Sequence, residues 1–401
     1  MLRTAATRAR VSMSLLVRAA ARSARGARVA SLGAPRALAP RLVGGARRFA
    51  PNASPRPPAV GAPRRGSFSA SASSRNASAT DASDAGTTAS TRSSVYDDPA
   101  LYELAFGFRD FDAEAAFLAR LCRTHGSGAM RSILELGAGP AWHSVSCVIT
   151  QRPCVAVALD NAPAMLARAS QRARDAGCER SVAVVRGDMT SFDAAAMAAR
   201  ARELVPLPPL AASEGGEGAD ASLRRFSGFD VVTILLGTAA HLTTLEEAEA
   251  CLRAAAAAAA PDGLVVLELE HPFDLFDGQL MDAHGDAWDR EIEGGGGTKV
   301  LVEWGREGDA FDVETQVVAR TVGLNVVDEN GTPPPDAAFA PVEEVVPCRV
   351  FTAPEIALLG KLAGLEVVAT FGDMDADVPL THEDANNMVI ALRRRKTGDA
   401  E

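Results

Sequence analysis

The first 80 residues contain no aspartate, glutamate or lysine; the first acid is Asp81. That absence divides the chain into two unlike polymers. Fifteen arginines fall in the same stretch, so with a net charge of −10 overall the remainder carries about −25. Lysine is scarce everywhere, with only Lys299, Lys361 and Lys396, and aromatic residues make up 5%. An acidic, lysine-poor body excludes a basic nucleic-acid groove. No apolar run approaches the ~20 residues that span a bilayer; the longest, 231–236 and 254–260, are far too short. The six cysteines (Cys122, Cys147, Cys154, Cys178, Cys251 and Cys348) form no Cys-x-x-Cys pair. Neither a zinc site nor a disulfide framework is indicated, and no metal is expected.

The acid-free leader is rich in Arg, Ala and Ser. Arg18, Arg22 and Arg25 fall on one face of a potential helix, with Val11, Leu15 and Leu16 on another. This is the composition of an organellar transit peptide, mitochondrial in preference to chloroplast; a basic nucleic-acid-binding arm is the alternative. Arg64-Arg65 before Gly66-Ser67-Phe68-Ser69 suits a nearby cleavage site. Residues 70–94 are a Ser/Ala/Thr linker. Residues 1–94 are therefore expected to precede a folded part at 95–394, followed by a short tail at 395–401.

From residue 95 the chain alternates strand and helix signals. A helical pattern covers 99–124. Short apolar runs at 133–136, 154–160, 182–186, 229–236 and 264–269 read as strands, separated by helices from Trp142, Pro163, Asp193 and Thr244. Residues 206–227, rich in Pro, Gly, Ala and Glu, read as a surface insertion ahead of the fourth strand. The helix from Thr244 is expected to stop at Pro261-Asp262-Gly263. Runs such as VAVAL and VVTILL mark strands buried on both faces, and strand–helix alternation predicts a doubly wound α/β fold, mostly parallel. Residues 271–350 change to period-two runs at 299–304, 311–321 and 324–328, which predict an inserted antiparallel β segment. A capping box at Thr352 and Glu355 then starts a helix, and strands at 365–371 and 386–392 complete the sheet.

Glycines after a buried strand let the backbone turn tightly and approach a ligand. The first strand ends in Glu135-Leu136-Gly137-Ala138-Gly139-Pro140. A dinucleotide fingerprint needs a third glycine where Trp142 stands, so the NAD reading fails. Asp160 ends the second strand, where a carboxylate accepts from both hydroxyls of an adenosyl ribose. Asp188 ends the third; it suits an adenine amino group and equally an ordinary turn. Successive strand ends are where open α/β sheets bind ligands.

In these motifs the chain resembles class I S-adenosylmethionine-dependent methyltransferases of the small-molecule type. ILELGAGP matches the glycine-rich first motif, ALDNAPAML the second, RGDMTSF the third, FDVVTILLGT the fourth and PDGLVVLELE the fifth. Asn161-Ala162 and Pro140-Ala141 depart from the usual residues at those places. The resemblance implies a seven-stranded Rossmann-like sheet with helices on both faces. It implies S-adenosyl-L-methionine as cofactor, with Gly137 and Gly139 along its methionine part and Glu135 organising the loop from below. Asp160, followed by Asn161, would hold the ribose, Asp188 and Met189 the adenine, and Leu235, Leu236 and Gly237 would lie near the sulfonium. Tyr96, Tyr102 and Arg109 would cover the cofactor, Arg109 as a partner for its carboxylate or equally as an ordinary surface arginine. The segment 271–350 would close over a small-molecule acceptor, with Trp288 and Trp304 as walls.

Proton removal from an acceptor needs a base. Candidates are His241, Glu270 and His271, each of which also suits a packing or loop role. Asp373, Asp375, Asp377 and His382-Glu383-Asp384 form a late acidic cluster that suits a solvated loop in preference to a site for a cationic substrate or a metal. The fourth motif lacks the Asn/Asp-Pro-Pro-Tyr/Phe signature of amide and nucleobase methylation. A non-catalytic S-adenosylmethionine-binding or assembly protein of the same fold remains the alternative, and the sequence is silent on oligomeric state.

Overall fold

A computed structural model describes residues 94–209, 226–271, 286–292, 295–334, 339–382 and 385–395. The predicted leader, most of the insertion expected at 206–227, and Glu383-Asp384 lie outside the described residues.

Elements follow in chain order. They are α1 (Pro99–Phe106), α2 (Phe111–His125), β1 (Ser132–Leu136), α3 (Trp142–Thr150), β2 (Val155–Asp160), α4 (Pro163–Asp175), β3 (Val182–Arg186) and α5 (Ala194–Glu203). After β4 (Phe229–Ile234) a single 3-10 turn (Thr238–His241) leads to α6 (Leu245–Ala258) and β5 (Ala259–Glu270). Then come β6 (Asp286–Glu291), β7 (Lys299–Trp304), β8 (Phe311–Asp312), β9 (Val317–Val327) and β10 (Val342–Arg349). The described chain ends in α7 (Ala353–Leu362), β11 (Leu365–Phe371) and β12 (Asn387–Arg394).

Seven strands form one sheet in the order β11-β12-β5-β4-β1-β2-β3. Pairs among β1 to β5 are parallel, and β12 runs antiparallel to both of its neighbours. Every residue of β1 and β2 is buried, because helices cover both faces. The chain winds outward from β1 to β3, then returns to β4 on the other side of β1. The switch point therefore lies between β1 and β4, where ligands bind in open α/β sheets. A second, antiparallel sheet is inserted between β5 and α7, with order β10-β9-β7-β6 and β8 paired to β9. Its apolar face (Val300, Val302, Val318, Val322 and Leu324) packs with Val95, Leu101 and Ala105 around α1.

Several sequence expectations are corrected. The helical stretch expected at 99–124 is two helices: Gly107 caps the first through Glu103, and the Asp110 side chain accepts from Ala113 N–H to start the second. Pro261-Asp262-Gly263 does not end α6 but lies in β5, beside a bulge against Phe229 and Val231. The runs at 311–321 and 324–328 are not separate strands. A turn at Gln316, left-handed at φ 57°, splits off β8, and β9 then continues through Gly323. All six cysteines are buried and unpaired with one another. Burial pushes the thiols up, Cys122 and Cys251 to about 12 and Cys348 to about 11. No helix among the described residues is long and apolar enough to cross a membrane.

Candidate active site

Two backbone turns frame the switch point, and both are strained. After β1, Gly137, Gly139 and Ala141 are left-handed at φ 62°, 51° and 58°. Gly137 also meets a packing limit, since a Cβ there would lie 2.3 Å from Thr238 Cγ2. After β4, Leu236 and Gly237 are left-handed at φ 56° and 72°. A branched residue in that region is an outlier, of order 1–3 kcal/mol, and persists only where its surroundings impose it. Here Glu268 does so: its Oε2 accepts from Leu236 N–H at 2.9 Å and its carbonyl accepts from Gly237 N–H.

Asp160 stands at the mouth of the first turn. Its Oδ2 accepts from Gly139 N–H at 2.7 Å and its Oδ1 from Ala162 N–H at 2.8 Å. A carboxylate has about four lone-pair sites, so capacity remains for two ligand hydroxyls. Asn161 is exposed beside it. The exposed Asp188 accepts from Thr190 N–H and Oγ1 on the same oxygen, Oδ1, the geometry of a turn aspartate. Met189 packs against the main core, and Leu235 is buried.

Glu135 is buried and reaches α3 from below the loop. Its Oε2 accepts from Ser144 N–H at 2.9 Å and Ser144 Oγ at 2.6 Å. Ala141, the N-cap of α3, has no side chain that can cap, so this strand carboxylate takes over the role and meets the helix dipole favourably. Trp142 opens α3 in a stack between Phe111 and Tyr102, with ring centroids at 4.8 and 5.7 Å.

Arg109 is not a surface arginine: its side chain is 17% exposed and lies between Glu114 on α2 and Glu268 on β5. Its Nε donates to Glu114 Oε1 at 2.6 Å, and its Nη1 is 2.7 Å from Glu268 Oε1. Its Nη2 is buried with no hydrogen-bond partner among the described residues. Burial opposes the guanidinium charge, but Glu268 and Glu114 outweigh it and hold the group charged.

The three proposed bases separate. His241 Nε2 lies 2.8 Å from Tyr96 Oη. Burial lowers the imidazole's pKa, with Glu344 and Asp160 opposing in part, and burial raises the Tyr96 phenol. The phenol therefore donates to a neutral ring. Glu270 is held by Arg320 through two contacts, at 2.8 and 3.0 Å, and Arg320 lies over the Trp304 ring. His271 Nε2 donates to the Leu380 carbonyl at 2.8 Å, which fits the loop role. Trp288 donates to Ala105 O, and Trp288 and Trp304 both meet the Phe106 ring edge-on. In the late acidic loop Asp373 accepts from Met374 N–H and Asn387, and Asp375 from Asp377 N–H. No cluster of metal-ligating side chains is found among the described residues.

Sequence reasoning missed Glu114 and His143, which join Arg109 and Glu135 into one buried group. One signal was available: Glu114 shares a face of α2 with Phe117, Leu118 and Leu121, where an acid is out of place.

This strand order, with a glycine turn after β1 and a carboxylate after β2, is the fold of class I S-adenosylmethionine-dependent methyltransferases. Solved structures agree. A S-adenosylmethionine-dependent methyltransferase from Clostridium acetobutylicum superposes with a TM-score of 0.51 at 12% identity, covering 73% of this chain and 96% of that one. DesVI from Streptomyces venezuelae gives 0.50 at 19%, covering 74% and 97%. The sugar N-methyltransferase KedS8 from Streptoalloteichus gives 0.50 at 21%, covering 78% and 99%. Neither a protein-family model nor a curated protein sequence matches the chain.

Proposed function

We propose that the protein transfers a methyl group from S-adenosylmethionine to a small-molecule acceptor. The observation that carries this reading is the set of complementary groups gathered at the switch point. Asp160 has acceptor capacity for a ribose, the turn after β1 is open to close approach at Gly139, where nothing lies within 4 Å of a Cβ position, and Arg109 Nη2 is a buried donor suited to a carboxylate. Trp142, packed where a pyrophosphate loop needs glycine, disfavours a dinucleotide. The similar structures named as methyltransferases, one of them for sugar nitrogens, support the same reaction class.

When bound, the cofactor supplies a methyl group activated by its sulfonium charge. The chain's own part is to orient the acceptor, exclude water and take a proton. Tyr96 and His241 form the proton acceptor: an acceptor N–H or O–H gives its proton to Tyr96 Oη as Tyr96 passes its own to His241 Nε2. The second sheet, with Tyr102, Trp288 and Trp304 on the side of α1, serves as the cover. Residues 1–94 we read as a transit peptide for mitochondria, with chloroplast as the alternative; imaging of a leader fusion distinguishes the two.

Calorimetric titration of the full chain with S-adenosylmethionine, S-adenosylhomocysteine and NAD tests the reading. Saturable binding of the two adenosyl compounds and none of NAD is expected. A folded protein that binds neither adenosyl compound overturns the reading, whereas binding without turnover on any metabolite pool turns it into a non-catalytic one.

A further inference from the structure

Five ionisable side chains run in a line beneath the two strained turns: Glu268, Arg109, Glu114, His143 and Glu135. Beyond the Arg109 contacts already described, Glu114 Oε2 lies 2.7 Å from His143 Nε2, and His143 Nδ1 lies 3.2 Å from Glu135 Oε1. The ends of the line are occupied as well. Glu135 holds the first turn of α3 through Ser144, and Glu268 holds Leu236. One buried line of alternating charge therefore ties the turn after β1 to the turn after β4. Those are the two segments that flank the proposed methionine half of the cofactor.

We infer that His143 is a positioning residue for that half of the cofactor, acting as a cation that braces Glu114 and Glu135 so that both turns share one rigid support. The inference rests on the methyltransferase reading above.

Geometry sets the charge. Both ring nitrogens face carboxylate oxygens, which can only accept. A neutral imidazole has one N–H, and its second nitrogen would turn a lone pair toward an anion. The ring is wholly buried, so no solvent substitutes for a missing donor. Burial opposes the charge, yet the hydrogen bonds to Glu114 and Glu135 outweigh it and push the imidazole up to about 9. The other groups around the ring do not supply a competing cation. Phe111 meets it edge-on at 5.1 Å, Asp112 is taken up by Ser146, and Cys147 on the same helix is a thiol pushed up by burial.

Three carboxylates then face two cations, and the line keeps one uncompensated negative charge. It also keeps one unused donor, Arg109 Nη2. A zwitterionic amino-acid group with a cationic neighbour fits both. Burying such a line is expensive, and well-packed apolar residues would often be as stable. A positional role accounts for its presence where mere packing does not.

The test compares full-length wild-type protein with His143→Gln by calorimetry between pH 7 and 10. The two ligands are S-adenosylhomocysteine and 5′-methylthioadenosine, which lacks the amino-acid half. At pH 7 the variant is expected to lose about tenfold or more in affinity for the first and under about threefold for the second. The difference between the two proteins should close as pH rises through the His143 titration. The ligand's own amine titrates against both proteins and drops out of that difference. Should His143→Gln fail to fold, Glu114→Gln removes the same brace and is expected to give the same split. Equal losses for both ligands, or a difference that does not change with pH, overturn the inference and leave His143 to packing. No binding of either ligand to wild-type protein overturns it together with the cofactor reading.

Discussion

Two histidines, one after each of the two strained turns, have opposite chemistry. His143, on the sheet side, sits between two carboxylates and titrates at about 9. His241, on the side of the second sheet, meets the hydroxyl of Tyr96 and titrates below its ordinary value because it is buried. Burial penalises the imidazolium in both. What separates them is the partner: a carboxylate can only accept, so each nitrogen facing one must donate, whereas a phenol donates and its nitrogen must accept. Environments that push like groups apart assign them unlike work. Here one ring is a fixed cation under the sheet turns and the other a neutral ring beside Tyr96, the one proposed as the base.

The contrast breaks most visibly at the base. His241→Ala is expected to lower kcat by about 10²–10⁴-fold while leaving the Kd for S-adenosylhomocysteine unchanged, because a general base acts on the transition state. Steady-state kinetics beside calorimetry reads both; an unchanged kcat removes His241 from the reaction. On the other side, Glu268→Ala removes one of the two carboxylates that hold the Arg109 guanidinium and strands the Leu236 N–H. Removing one partner of a buried ion pair is destabilising by about 3–5 kcal/mol, read by denaturant unfolding.

The two rings also predict opposite dependences of stability on pH. His143 has a raised folded pKa, so its contribution is complete below the unfolded value near 6.5 and is lost as pH rises through about 9. That loss is roughly 3 kcal/mol. His241 has a lowered folded pKa, so its contribution is present above 6.5 and is lost as pH falls. Unfolding midpoints across pH 5–10 should show both arms, with the alkaline arm reduced in His143→Gln. The smallest effect expected is at the cofactor's far end: Asp160→Ala should weaken S-adenosylmethionine binding by about 1–3 kcal/mol.

How much of this was legible depended on whether the cause was local. Strands 182–186, 299–304 and 365–371 were read to the residue, since apolar runs between turn residues set their bounds. The glycine turn and Asp160 were legible because strand ends carry their own signature. By contrast β6, DAWDRE, is mostly charged and gives no period, and β10 carries Pro347, which suits only its edge position. The Tyr96–His241 contact spans 145 residues, and Arg109 meets Glu268 across a comparable gap. No local pattern encodes which of many acids and histidines come together. Only the winding of the sheet around its switch point does that.

The most direct test is nitrogen NMR of the two imidazoles between pH 5.5 and 9.5, assigned with His143→Gln and His241→Gln. At pH 7 His143 should show two protonated nitrogens and His241 one, with His143 losing its proton only near pH 9. Finding both rings in the same charge state at pH 7 would contradict the account.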